Sequence, residues 1–367
     1  LITVTKPFLP PLEEFLPYLN QIWASGQLTN NGPFHKQLEN ELAEYLGVKY
    51  ISLFANATLG LVTALQVLRI SGEVITTPYS FVATTHALWW NKITPVFVDV
   101  ESEYLNLDPA NIESAITPRT TAIMPVHVYG NPCNVDEIKD IADRYGLKVI
   151  YDAAHAFGVR QGNVSVLNHG DLSVVSFHAT KVYSTIEGGA VICHDPDMKR
   201  HIDNLKNFGF RDETIVEEPG INAKLNEVQA AYGLLQLKYV DQIISKRKAV
   251  AQQYRELLRD VPGLRLLPEM KGVAYGYSYF PVLIDQEKYG ISRDVLYERL
   301  KRNNIFARRY FYPLISKFEP YCKLPSANPD NLPIAVKAAN DVLCLPMYAG
   351  LEGPDIQLIS SIIKDSV

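Results

Sequence analysis

Apolar residues recur along this chain with two different periods. Some stretches are short and apolar almost throughout, such as Tyr50-Ile51-Ser52-Leu53-Phe54 and Ala190-Val191-Ile192-Cys193. Others are longer and repeat an apolar position every three or four residues. The first kind fits strands buried on both faces, the second amphipathic helices. Leu12 to Trp23 is amphipathic, and Pro33 opens a helix to Leu46 with Phe34, Leu38, Leu42 and Tyr45 at helical spacing. Gly47 ends it. The strand Tyr50–Phe54 leads through Ala55-Asn56-Ala57-Thr58 into an apolar helix reaching about Leu68. Strands then follow at Glu73–Thr76, Thr94–Val98, Ala122–Val126 and Lys148–Tyr151. Between them lie helices through Trp89, at Asn111–Ile116 and at Val135–Tyr145. This rhythm predicts an α/β fold, a mostly parallel sheet covered by helices.

The second half changes character. A helix through Leu205 and a loop, Asn207–Asn222, lead to a long apolar helix from Asn226 to about Tyr239. The basic, polar stretch Ser245–Arg259 reads as a solvated connecting helix, and Pro262-Gly263 as a domain boundary. A strand at Tyr277–Ile284, a helix at Ser292–Asn303 and a closing helix predict a smaller α+β unit. At 367 residues the chain exceeds one typical core. The expected division is 1–245, a large domain with an N-terminal arm, and 246–367, a small C-terminal domain.

Charge and cysteine content narrow the classes. With 35 basic and 40 acidic residues the net charge is −5, which gives no electrostatic footprint for nucleic acid. No apolar run is long enough to cross a membrane, and Leu1 to Pro7 shows no signal peptide. Cys133, Cys193, Cys322 and Cys344 are scattered, with no CxxC or Cys/His cluster to suggest a metal. A reducing, cytoplasmic setting is the expectation.

Candidate chemistry centres on Ser173–Val191, a buried strand, a polar loop with one lysine, a glycine pair and a second buried strand. A lysine placed there is costly to bury unless it is paired or neutralised. A Schiff base with a carbonyl, the use of lysine in pyridoxal-phosphate enzymes, neutralises it. The plainer reading of Lys181 is a surface loop lysine. Asp152 ends an apolar strand, where a buried carboxylate needs a cation such as a pyridinium nitrogen; a helix N-cap is the alternative. His155 suits a cofactor's phenolic oxygen or a satisfied core position, and Phe81 a ring cover or an ordinary core aromatic. Ala57 and Thr58 open a helix and so offer a phosphate cup, although the turn has no glycine. Thr58, Phe81, His127, Asp152 and Lys181 all fall at or just beyond predicted strand ends, where ligands gather in such sheets.

Three segments together carry a family resemblance: Tyr151-Asp152-Ala153-Ala154-His155-Ala156, Ser176-Phe177-His178-Ala179-Thr180-Lys181 with Glu187-Gly188-Gly189, and Pro219-Gly220-Ile221-Asn222-Ala223-Lys224-Leu225-Asn226. The chain resembles the DegT/StrS family of pyridoxal-phosphate sugar aminotransferases, of the aspartate-aminotransferase fold type I. The resemblance implies a seven-stranded, mostly parallel sheet in the large domain. It makes Lys181 the Schiff-base lysine and catalytic base. Asp152 is implied to pair with the pyridine nitrogen, His155 to lie near the phenolic oxygen, and Phe81 to stack on the ring. Ala57, Thr58 and Ser176 are implied to hold the phosphate, with Asn222 reaching in from the second subunit of a homodimer. Tyr183, Arg309 and Tyr312 are implied near the substrate. Two departures stand out: Ala57 occupies a place usually held by glycine, and Ile186 one often held by a small residue.

The implied reaction moves an amino group from glutamate to a nucleotide-linked keto-6-deoxy sugar. The closest resemblance is to enzymes forming dTDP-4-amino-4,6-dideoxyglucose for surface polysaccharide. A 3-keto sugar or a cyclitol ketone is the alternative within the family. A regulatory or carbohydrate-binding protein on the same fold is the alternative outside catalysis.

Overall fold

The computed structural model describes residues 1–366. Seven strands form the central sheet in the order Tyr50–Phe54, Gly189–Cys193, Leu172–Ser176, Lys148–Asp152, Thr120–Met124, Glu73–Thr76 and Thr94–Phe97. Gly189–Cys193 runs antiparallel to both its neighbours, and the other pairings are parallel. The expected mostly parallel α/β sheet is therefore present.

Period-two alternation divides these strands between two cores. Leu53, Val175, Ala190 and Ile192 face one layer, where Leu38 and Leu42 of helix Pro33–Leu46 meet Ala230 and Leu234 of helix Glu227–Leu237. Phe54, Val174, Val191 and Cys193 face the other, against Leu61, Leu65, Ala87 and Ile202. A strand buried on both faces has no polar face to show, which is why these segments read as unbroken apolar runs.

The chain beyond the sheet builds a second core around the antiparallel strands Leu264–Leu266, Phe280–Ile284 and Val342–Leu345. Helix Val240–Leu258 passes through the expected boundary at residue 245 and is not a solvated connector. It buries Arg247, Val250, Ala251, Tyr254 and Leu258, a stripe at helical spacing that the surrounding charges had masked. The expected helix at Asn111–Ile116 is two 3₁₀ turns, Pro109–Asn111 and Glu113–Ala115. Six residues ahead of Thr117-Pro118 are too few to propagate an α-helix. Ile2–Thr3 pairs in parallel with Ile305–Phe306, so the first residues join the C-terminal core.

Two buried carboxylates fasten distant helices. Asp99 accepts the N–H groups of Ile334 (2.9 Å) and Ala335 (2.8 Å), capping helix Pro333–Asp341. Glu227 accepts those of Phe34 (2.9 Å) and His35 (2.8 Å) and caps helix Pro33–Leu46. A Cβ at Gly32 would lie 2.4 Å from the Glu227 carboxyl carbon, so only glycine admits the cap. Glu227→Ala strands two buried donors and is expected to cost about 2 kcal/mol of stability. The urea midpoint of the apoprotein reads this out, and an unchanged midpoint would contradict the capping role.

Candidate active site

The carboxyl-terminal ends of the parallel strands open onto a cavity of about 380 Å³. Sheet order explains its membership. Asp152 and Ser176 end the adjacent strands Lys148–Asp152 and Leu172–Ser176. The strand beyond them starts at Gly189, opposite Phe54, and Asn56-Ala57-Thr58 follows directly. Ala57, Thr58, Phe81, Asp152, His155, Ser176 and Lys181 all line the cavity.

At one end lies the start of helix Ala57–Val67. Asn56 caps it by accepting the N–H of Leu59 (2.9 Å). The N–H groups of Ala57 and Thr58 precede the first intrahelical bond and are available to an anion. Ala57 is not among the residues with positive φ, so alanine is unstrained there. The close approach is instead made by Gly189, where a Cβ would lie 2.6 Å from the Ala57 nitrogen. Ile186, the second departure, does adopt a left-handed backbone (φ 73°), and its N–H is held by the Ser184 hydroxyl at 2.9 Å.

Deeper in the cavity, Asp152 is buried. One of its oxygens accepts the Thr84 hydroxyl (2.7 Å) and the other the N–H of Ala154 (3.1 Å). Burial raises the pKa of its carboxyl above the ordinary value, outweighing those two bonds and the pull of the Lys181 charge. The same burial lowers Lys181 from 10.5 to about 8, against the opposing pull of Asp152. Its ammonium lies 5.7 Å from the centre of the Tyr279 ring. The His155 Nδ1 accepts the N–H of Tyr129 (3.2 Å), which leaves the proton on Nε2. Burial, then the charge of Lys181, hold this imidazole neutral. Its ring is stacked on Phe311 at 5.9 Å.

This donor set fits pyridoxal phosphate. A buried carboxylate needs a cation to offset its desolvation and so suits a pyridinium N–H, a softened amine suits an aldehyde, and helix N–H groups with hydroxyls suit a phosphate. Because the amine is nucleophilic only when neutral, capture of the aldehyde by the apoprotein should quicken as pH rises. The rise should level off above about 8. Stopped-flow absorbance from pH 6.5 to 10 tests this; a midpoint near the ordinary lysine value would contradict it.

Four named residues lie elsewhere. Tyr183 does not line the cavity: it is fully buried, stacked 4.6 Å from Phe157, with no hydrogen-bond partner for its hydroxyl among the described residues. Its position two residues after Lys181 returns the chain to the apolar core. Arg309 is bound to Asp294 (2.9 Å), and Tyr312 lies under the Arg293 guanidinium (4.5 Å), both outside the cavity lining. Asn222 is exposed beside Asn207 and also lies outside that lining. The cavity instead takes Tyr279, Arg308, Tyr310 and Phe311 from the C-terminal half, with His178, Thr180 and Glu187 from the lysine loop. Alternation through Arg308-Arg309-Tyr310 was the available signal, because Arg308 and Tyr310 share a side that Arg309 does not.

A half-buried lysine and a buried aspartate facing one cavity at the strand ends of this sheet are the arrangement expected of a pyridoxal-phosphate enzyme of fold type I. The chain belongs to the DegT/DnrJ/EryC1/StrS aminotransferase family, whose sequence profile matches residues 12–364. It is 54% identical over 363 residues to the dTDP-4-amino-4,6-dideoxy-D-glucose transaminase of Escherichia coli, covering 99% of this chain and 98% of that one. Its identity to the Shigella dysenteriae enzyme of the same name is 53%, with the same coverage. Among solved structures, DesI in the presence of its TDP-sugar product superposes with a TM-score of 0.94 at 35% identity, covering 99% of this chain and 92% of that one. Among the described residues, no helix is long and apolar enough to cross a membrane.

Proposed function

We propose that this aminotransferase binds pyridoxal 5′-phosphate and carries an amino group from glutamate to C4 of dTDP-4-keto-6-deoxyglucose, forming dTDP-4-amino-4,6-dideoxyglucose. The observation that carries the substrate is the 54% identity, across almost the whole of both chains, to a transaminase named for that product. Lys181 and Asp152 on one cavity carry the chemistry.

When bound, the cofactor supplies an electron sink for the carbon that loses a proton. Thr58, Ser176 and the first N–H groups of the helix would hold its phosphate, and Asp152 its ring nitrogen. The Lys181 Nζ, softened by burial, takes the proton from the donor's α-carbon and returns it on the cofactor side as general base and then acid. Phe81, on the cavity lining, would cover the ring. The Nε2–H of His155 would be free to donate to the phenolic oxygen.

A homodimer completes the site in this reading, with Asn222 serving the neighbouring subunit's phosphate. Its support is the segment 207–222, which leaves Phe208, Phe210, Ile215 and Val216 exposed together with Asn222. Residues 246–367 act as the smaller domain that walls the cavity with Tyr279, Arg308 and Tyr310.

The test is a panel of keto sugar nucleotides, with glutamate as donor and products identified by mass and NMR. The expected product is the C4 amine of the thymidine diphosphate sugar. Turnover of only a 3-keto sugar or a cyclitol ketone would contradict the assignment.

A further inference from the structure

Arg308 is the one arginine lining the cavity. Its backbone is held on both sides by Cys344: the Arg308 N–H donates to the Cys344 carbonyl (3.0 Å), and the Cys344 N–H returns the bond (2.7 Å). Cys344 belongs to the strand Val342–Leu345, so the arginine stands on sheet rather than on a free loop. The next turn of chain is fixed as well, because the Tyr310 carbonyl accepts the hydroxyls of Tyr129 and Tyr79.

The side chain, by contrast, is uncommitted. Arg309 is ion-paired to Asp294, whereas among the described residues Arg308 has no carboxylate partner. Its Nη1 donates to the Tyr310 hydroxyl at 3.1 Å, and its guanidinium lies 5.4 Å from the centre of that ring. A phenol that accepts from arginine keeps its own proton to donate. The two side chains thus form a pair of donors, charged and neutral, with no acceptor supplied by the protein. Tyr310 also lies within electrostatic reach of Lys181, since each shifts the other's titration.

We infer that Arg308, with the Tyr310 hydroxyl, binds the carboxylate of the amino-acid donor and of the keto acid it becomes. The inference deepens the aminotransferase reading and rests on it. In an amino acid the carboxylate and the amino group share one carbon. A donor whose α-carbon comes within reach of Lys181 therefore brings an oxyanion with it into the cavity. The diphosphate of a sugar nucleotide is separated from C4 by the sugar ring and leaves with the nucleotide toward the opening. Apart from histidines, the cavity offers two cations, and Lys181 is occupied with the reaction. A planar guanidinium fork matches a carboxylate in two parallel bonds, which an ammonium does not.

The two half-reactions can be read separately by the absorbance of the holoenzyme. In Arg308→Gln the apparent Kd for L-glutamate, and equally for L-alanine, should rise roughly 10- to 100-fold, while the keto sugar half-reaction should stay within about threefold. Arg308→Lys should recover part of the loss, and the melting temperature of both variants should match the wild type. Unchanged donor affinity, or an equal loss in the sugar half-reaction, overturns the role of Arg308. Wild-type holoenzyme run alongside separates the two failures. If it shows no spectral change with any amino acid, the aminotransferase reading falls, and this inference with it.

Discussion

Lys181→Ala is expected to lower the transamination rate by roughly 10⁴-fold or more, the largest effect of any single substitution. The size follows from two duties resting on one nitrogen. Lys181 is the one lysine lining the cavity, so its loss removes both the covalent hold on the cofactor and the group that moves the proton. The neighbouring side chains cannot stand in. His155 is held neutral by burial, with Nδ1 already bonded to the Tyr129 N–H. The Asp152 oxygens are engaged by Thr84 and Ala154. Activity should not return at higher pH, because no second amine is present to titrate. The yellow colour of the holoenzyme should be lost with activity. A variant that stays yellow and retains a tenth of the rate would show that another lysine carries the cofactor.

Asp152→Asn should separate function from stability. Burial raises the pKa of the Asp152 carboxyl in the folded apoprotein above the ordinary 3.8. Ionising it therefore costs the fold free energy. The penalty is absent below 3.8, grows as pH rises toward the raised value and is fully present above it. The amide carries no such penalty and can still meet the Thr84 hydroxyl. Apoprotein melting at pH 7.5 should accordingly be unchanged or higher in the variant. Catalysis should fall roughly 10²- to 10³-fold, because the negative charge that keeps the ring nitrogen protonated is gone. Apoprotein destabilised as strongly as activity is reduced would mean that Asp152 serves the fold, through Thr84 and Ala154, rather than the cofactor.

How far the sequence disclosed this site depended on distance along the chain. Strand ends were legible because strands buried on both faces appear as short apolar runs and stop at polar residues. That placed Thr58, Phe81, Asp152 and Lys181 at one edge before any contact was known; His127, expected with them, is instead buried against Tyr151 outside the cavity lining. The C-terminal wall was harder to see. Arg308 and Tyr310 reach the cavity because the Arg308 backbone pairs with Cys344, a partner 36 positions further on. Tyr279 is brought in by its own sheet. In the run Arg308-Arg309-Tyr310-Phe311-Tyr312 the family resemblance pointed to Arg309 and Tyr312, and composition does not show which side faces inward. Tyr183 misled as well. The resemblance implied it near the substrate, but the loop turns it into the core against Phe157.

The buried caps were equally silent. Glu227 lies 192 residues from His35, and Asp99 is 236 residues from Ala335. No local pattern links a carboxylate to a helix so far away. Helix Val240–Leu258 lies between these cases. Its buried stripe is present in the sequence at a regular spacing, but the lysines and arginines around it lower the mean hydropathy enough to hide the period.

Lys181 is the residue to which the cofactor is expected to attach. Borohydride reduction of the holoenzyme, followed by proteolysis and mass spectrometry, tests it most directly. The expected result is one pyridoxyl phosphate group per chain, on the peptide carrying Lys181. A label on any other lysine, or no label in protein that has been reconstituted with pyridoxal phosphate, would contradict it.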